Sequence, residues 1–173
     1  MNNIIAKNSL RFIILVLLQV VIFNNIRLSG YINPFIYIVF ILLLPFETPK
    51  WAILMLSFIV GLSVDVFSGT IGIHAFASTL MGFSRASIIT LISGNREFEK
   101  NETPSIKDLG FSWFLSYSLF LVIIHHFTLF LIETFRFTEL HFVILRTFLS
   151  IIITEIVIIA SQYLFYSSKK QRR

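Results

Sequence analysis

The chain has 173 residues, 56% of them hydrophobic and only 13% charged, with a mean hydropathy of +0.85. A water-soluble domain of this size has too little interior to hide that much apolar surface, so lipid must be its solvent. The lack of cysteine excludes disulfides, thiolate metal sites and cysteine nucleophiles. The net charge of +5 lies between apolar runs rather than on one polar, nucleic-acid-binding face.

Apolar runs fall at 9–26, 32–46, 51–68, 71–93, 111–133 and 141–166. A membrane span takes about 20 residues, fewer where the bilayer thins. In the first run, Lys7 and Arg11 precede FIILVLLQVVIF, like the head of a signal peptide. NNIRLSG follows without a small-residue cleavage site, so an uncleaved first span is expected. The second run, INPFIYIVFILLLPF, is short and bracketed by Pro34 and Pro45. The third and fourth are separated only by SGT, so they form either one tight hairpin or one re-entrant element. The polar stretch 94–110 carries mixed charges and no glycine-rich phosphate cradle or arginine cluster, and reads as a solvated connector in preference to a docking site for a partner.

Charge sets the count of crossings. With six spans and the N-terminus inside, Lys7, Arg11, Lys50, Arg96, Lys100, Lys107, Lys169, Lys170, Arg172 and Arg173 are cytoplasmic, as is the 94–110 loop. Only Arg27 and Arg136 then fall in outer loops. Five spans would send the KKQRR tail outward, against that bias. The expectation is an all-α integral membrane protein, a single six-transmembrane-helix bundle over 1–173 with both termini cytoplasmic. Trp51, Trp113, Tyr31, Tyr163 and Tyr166 fall at span ends, where interfacial aromatics belong, although aromatic residues are abundant throughout.

Ionisable residues inside spans are functional hypotheses, because each costs about 2.5–3.5 kcal/mol on insertion scales unless paired. Four qualify: Asp65, Arg85, Arg146 and Glu155. At about 1.5 Å of rise per residue, Asp65 and Arg146 share an outer level and Arg85 and Glu155 share a level near the inner face. The depths predict two ion pairs, Asp65 with Arg146 and Arg85 with Glu155, binding the last span to the 61–93 hairpin. Snorkelling of Arg85 to the inner interface and solvation of Asp65 are the competing readings. His74, His125 and His126 lie near the level of Asp65. Adjacent His125 and His126 point about 100° apart on a helix, so no metal site is expected. No serine carries a nucleophile signature, and no enzymatic activity or cofactor is expected.

In GLSVDVFSGTIGIHAFASTLMGF (61–83), Gly69 tolerates the positive φ of a helix end and Thr70 suits a cap on the next helix. Past the turn, Ser78, Gly82 and Ala86 recur every fourth residue. Such a small-residue stripe lets another helix approach closely, and Gly61 extends it on the preceding arm.

This stretch resembles the central signature of the MreD family of rod shape-determining proteins. Gly61, Asp65, Ser68, Gly69, Gly72 and His74 fit its order of glycine, aspartate, Ser-Gly turn, glycine and histidine. Length and six spans fit in outline. The resemblance implies a non-enzymatic scaffold of the bacterial inner membrane, acting in cell elongation with an MreC-like bitopic membrane protein. MreB, RodA and a penicillin-binding protein complete the implied complex, which directs lateral peptidoglycan synthesis and cell shape. It also implies a fold like the S components of vitamin transporters. The alternative that follows is a substrate-binding transporter subunit, with Asp65, His74, His125 and Arg146 lining a pocket.

Overall fold

Helices are forced on the long apolar runs, because only intrasegment hydrogen bonds satisfy a backbone surrounded by lipid. The computed structural model describes residues 2–26, 32–94, 96, 98, 102–134 and 140–164. Among these are seven helices and no strand: α1 (Asn2–Val21), α2 (Val39–Leu42), α3 (Lys50–Ser68), α4 (Ile73–Ser93), α5 (Ile106–Leu109), α6 (Phe111–Thr134) and α7 (Leu140–Leu164). Five of them, α1, α3, α4, α6 and α7, are long and apolar enough to cross a membrane, which makes this a helical, multi-pass membrane protein. Arg27, Tyr31, Lys100, Arg136, Tyr166 and the KKQRR tail lie outside the described residues.

The second apolar run departs from the expectation of a spanning helix. After Ile32 it has no regular structure through Phe35, forms a 3-10 turn at Ile36–Ile38 and only then the single turn α2. Pro34 removes one amide donor and restricts Asn33 to extended backbone, and Pro45 ends the run. Phe35 to Leu44 are all buried. The run is therefore a core element with no lipid-facing side.

Contacts at the helix ends set the directions. Asn24, just past α1, donates to the Ser68 hydroxyl at the end of α3 (2.9 Å), so α1 and α3 run parallel. The chain between them returns through the bundle as the irregular segment. Then α3 and α4 form a hairpin. Trp113 at the start of α6 donates to Ser93 at the end of α4 (2.9 Å), and Glu133 near the end of α6 pairs with Arg146 near the start of α7. The first residues of α1 and the last of α7 thus lie at one end of the bundle.

Glycine fixes the hairpin at two levels. A Cβ on Gly61 would lie 2.5 Å from the His74 carbonyl oxygen and 2.6 Å from Ala75 Cα, so the α3 and α4 backbones meet there. Further along, a Cβ on Gly82 would collide with the Ser57 hydroxyl. The small stripe therefore serves contacts within the chain. Ser78 and Gly82 are buried, and only Ala86 is half-exposed, so the stripe is not open to a partner helix.

Candidate functional site

An irregular segment inside a membrane bundle leaves amides and carbonyls that no helix satisfies, and each orphan costs several kcal/mol. In this chain the intramembrane polar residues converge on that need. Gln19 of α1, fully buried, accepts the Ile36 amide at Oε1 (2.8 Å) and donates from Nε2 to the Pro34 carbonyl (3.2 Å). From α7, the Ser150 hydroxyl accepts the Asn33 amide (3.2 Å) and the Thr154 hydroxyl accepts the Phe35 amide (3.2 Å). Residues two apart in extended chain advance about 6.6 Å and residues four apart on a helix about 6 Å, which is why the two ladders stay in step.

The C-terminal end of the segment is held by three helices. Tyr117 of α6 donates to the Leu42 carbonyl (3.0 Å), Arg11 of α1 to that of Leu43 (3.1 Å), and Arg85 of α4 to that of Leu44. Arg85 Nε also donates to the Tyr117 hydroxyl (2.9 Å), and its guanidinium lies 6.0 Å from the Phe46 ring. Phe46 in turn stacks on Phe98 at 3.9 Å. Arg85 is 1% exposed, so it does not snorkel to the interface as the competing reading had it.

Tyr37 anchors the middle. Its hydroxyl lies 2.6 Å from His125 Nε2 and 3.1 Å from His74 Nδ1, and it accepts from Ser78 Oγ (3.2 Å). His126 donates from Nδ1 to the Val122 carbonyl (3.0 Å), which leaves Nε2 to accept the Thr154 hydroxyl (2.9 Å). The Phe35 ring packs between the three imidazoles, at centroid distances of 5.3 Å to His74, 5.8 Å to His125 and 5.2 Å to His126.

Asp65 has a different task. The residue before α4 is Gly72, which has no side chain to cap the helix, with φ of 73°. Asp65 reaches across from α3 and accepts the amides of His74 (3.1 Å) and Ala75 (2.8 Å) and the hydroxyl of Thr70. The expected cap, Thr70, instead orients the carboxylate that caps. Gly69 takes the left-handed conformation expected of it, with φ of 68°, and returns its amide to the Asp65 carbonyl. Asp65 is 2% exposed and is not solvated.

Neither predicted ion pair forms. Arg146 pairs with Glu133 instead (3.0 and 3.3 Å), packs over the Phe130 ring (4.3 Å) and meets the Asn33 side-chain oxygen at 2.8 Å. Glu155 meets Ser118 of α6 (3.0 Å), and its Oε1 has no partner. Matching charges by depth overlooked the irregular backbone, which competes for the same donors. The signal the sequence carries for this arrangement is the polar residues at single positions of apolar spans, Gln19, Ser150 and Thr154.

The arrangement can hold a chain segment in place, since its side chains hydrogen-bond the segment's backbone and its Tyr37 hydroxyl. Comparison with known proteins found no matching family model, no matching curated protein and no matching solved structure.

Proposed function

We propose that this chain is a non-catalytic scaffold of the bacterial inner membrane, of the MreD type, supporting cell elongation and shape through helix–helix contacts with an MreC-like bitopic partner. Proteins of the MreB, RodA and penicillin-binding classes belong to the wider complex. The observation that carries the reading is the commitment of Gln19, Arg85, Tyr117, Ser150 and Thr154 to the chain's own 33–44 backbone. Side chains so used stabilise a rigid platform and are not presented to a substrate.

The resemblance of 61–83 to the family signature supports it further, because Gly61, Asp65, Gly69 and Gly72 have structural reasons for their places in that order. On this reading the irregular segment counts as a sixth crossing beside the five long helices and both termini are cytoplasmic, an orientation that the inside excess of cations supports through Lys7, Arg11, Lys50, Arg96 and Lys107. A vitamin-type pocket would need Asp65, His74, His125 and Arg146 to face one opening. Asp65 caps α4, His74 and His125 share Tyr37, and Arg146 is paired with Glu133, so that reading is the weaker.

Depletion of the protein in its host decides between them. Rods that round up, with nutrient uptake intact and a bitopic membrane protein co-purifying, are expected. Normal rods that lose uptake of one nutrient would overturn the scaffold.

A further inference from the structure

Among the described residues two carboxyl groups are buried, and their surroundings differ in kind. Asp65 accepts from one hydroxyl and two backbone amides at a helix N-terminus, the surroundings of a stable anion. Glu155 sits about 22 Å along α7 from Leu140 and about 14 Å before Leu164, inside the apolar stretch from Ile151 to Ile158. It is 7% exposed, and one oxygen has no partner.

Its one hydrogen-bond partner among the described residues, Ser118, settles the hydrogen inventory. Ser118 Oγ lies 3.0 Å from Glu155 Oε2 and 3.3 Å from the Leu115 carbonyl oxygen. A serine hydroxyl has one hydrogen to give. If the carboxyl group is an anion, that hydrogen goes to Glu155 and a charge stays buried with a single donor, an expensive arrangement. If the carboxyl group carries the hydrogen, Glu155 donates to Ser118 and Ser118 donates to the Leu115 carbonyl. One chain then uses every hydrogen, and the bare Oε1 is a neutral carbonyl oxygen.

The titratable groups on the neighbouring elements are Tyr117, His125, His126 and Glu133 of α6 and Tyr37 of the irregular segment, with Arg85 of α4 beyond Tyr117; Glu133 pairs with Arg146. Tyr37 is bound to His74, His125 and Ser78, Tyr117 to Arg85 and Leu42, and His126 to Val122 and Thr154. Among the described residues, none of them hydrogen-bonds or ion-pairs with Glu155.

We infer that Glu155 and Ser118 form a proton-binding site within the membrane, in which Glu155 is a neutral carboxylic acid. The site is distinct from the scaffold reading and stands whether or not that reading does. Its ligand is a hydrogen ion. A sodium ion is the competing occupant, offered Glu155, Ser118 and the Leu115 carbonyl as oxygen donors.

Dicyclohexylcarbodiimide tests it on the full chain in native membranes at neutral pH. The acid proton passes to a carbodiimide nitrogen and the carboxyl oxygen adds to the central carbon, so the adduct retains all atoms of both reactants. Mass spectrometry should find the adduct on Glu155, undiminished by sodium chloride, with none on Asp65. The infrared band of a protonated carboxyl group should be present and should vanish in Glu155→Gln. That variant keeps the unfolding midpoint of the parent, because glutamine mimics the neutral acid. Protection by sodium, or a spectrum with carboxylate bands alone, overturns the inference, as does a Glu155→Gln protein no more stable than Glu155→Ala.

Discussion

Arg85 of α4 and Tyr117 of α6 meet 2.9 Å apart, and the phenol that receives the guanidinium passes its own hydrogen to the Leu42 carbonyl, 3.0 Å away. A cation, a hydroxyl and a backbone carbonyl from three parts of the chain are thus wired in series in the interior. Cutting the middle of that series should be costly. Tyr117→Phe leaves the Leu42 carbonyl and Arg85 Nε without partners, at about 1–3 kcal/mol. The midpoint of unfolding in a denaturing detergent should fall accordingly, and unchanged stability would deny the series any structural role.

Charge reversal separates real pairs from apparent ones. Arg85→Glu combined with Glu155→Arg should be as defective as the worse single variant, because the two side chains bind Leu44 and Ser118 and not each other. Glu133→Arg combined with Arg146→Glu should recover part of what either loses. That coupling is about 0.2–1 kcal/mol, since Glu133 is exposed. A double-mutant cycle on unfolding midpoints reads both.

Removal of the remote cap should loosen the α3–α4 hairpin. Asp65→Ala deprives the His74 and Ala75 amides of their acceptor, at about 2 kcal/mol, while Asp65→Asn keeps one oxygen and loses about 1 kcal/mol. Hydrogen exchange at the first turn of α4 should rise in the same order.

The two hairpin glycines should respond differently to alanine. At Gly61 the added methyl meets the α4 backbone, which cannot step aside, so about 3 kcal/mol is expected with helix separation. At Gly82 it meets the Ser57 hydroxyl, which is buried and unpartnered. Ser57→Ala alone should be neutral or stabilising by about 1 kcal/mol, and it should rescue much of Gly82→Ala.

Parallel α1 and α3 can be trapped covalently. The chain contains no cysteine, so Asn24→Cys with Ser68→Cys introduces the sole pair, at positions whose side chains touch at 2.9 Å. Oxidation should yield an intramolecular disulfide in membranes. Its absence under conditions that oxidise a surface pair would place the α1 end elsewhere.

The sequence made the long helices readable because the bilayer imposes length and apolarity on each of them. The SGT turn was readable too, since Gly69 supplies a left-handed conformation that other residues avoid. What escaped was the conformation of 32–46. Its apolar composition fits a helix, and nothing local reveals that Gln19, Ser150, Thr154 and Arg85 would receive an open backbone in its place. The pairings failed for the same reason. Depth along a helix locates a charge but does not say whether a carbonyl such as that of Leu44 will reach it before a carboxylate does. The roles of Asp65 and Thr70 were exchanged because capping was sought in the residues next to α4, whereas the acceptor came from the end of the previous helix.

The hydroxyl ladder also dictates a sequence of events at the ribosome. The Asn33 and Phe35 amides find their acceptors 117 and 119 positions downstream, in α7, which is translated after the other described helices. Until that helix leaves the exit tunnel, the nascent 33–35 stretch cannot sit in hydrocarbon without orphaned donors. It has to wait in the wet channel of the translocon or among lipid headgroups, so α7 is the piece whose arrival lets the interior close.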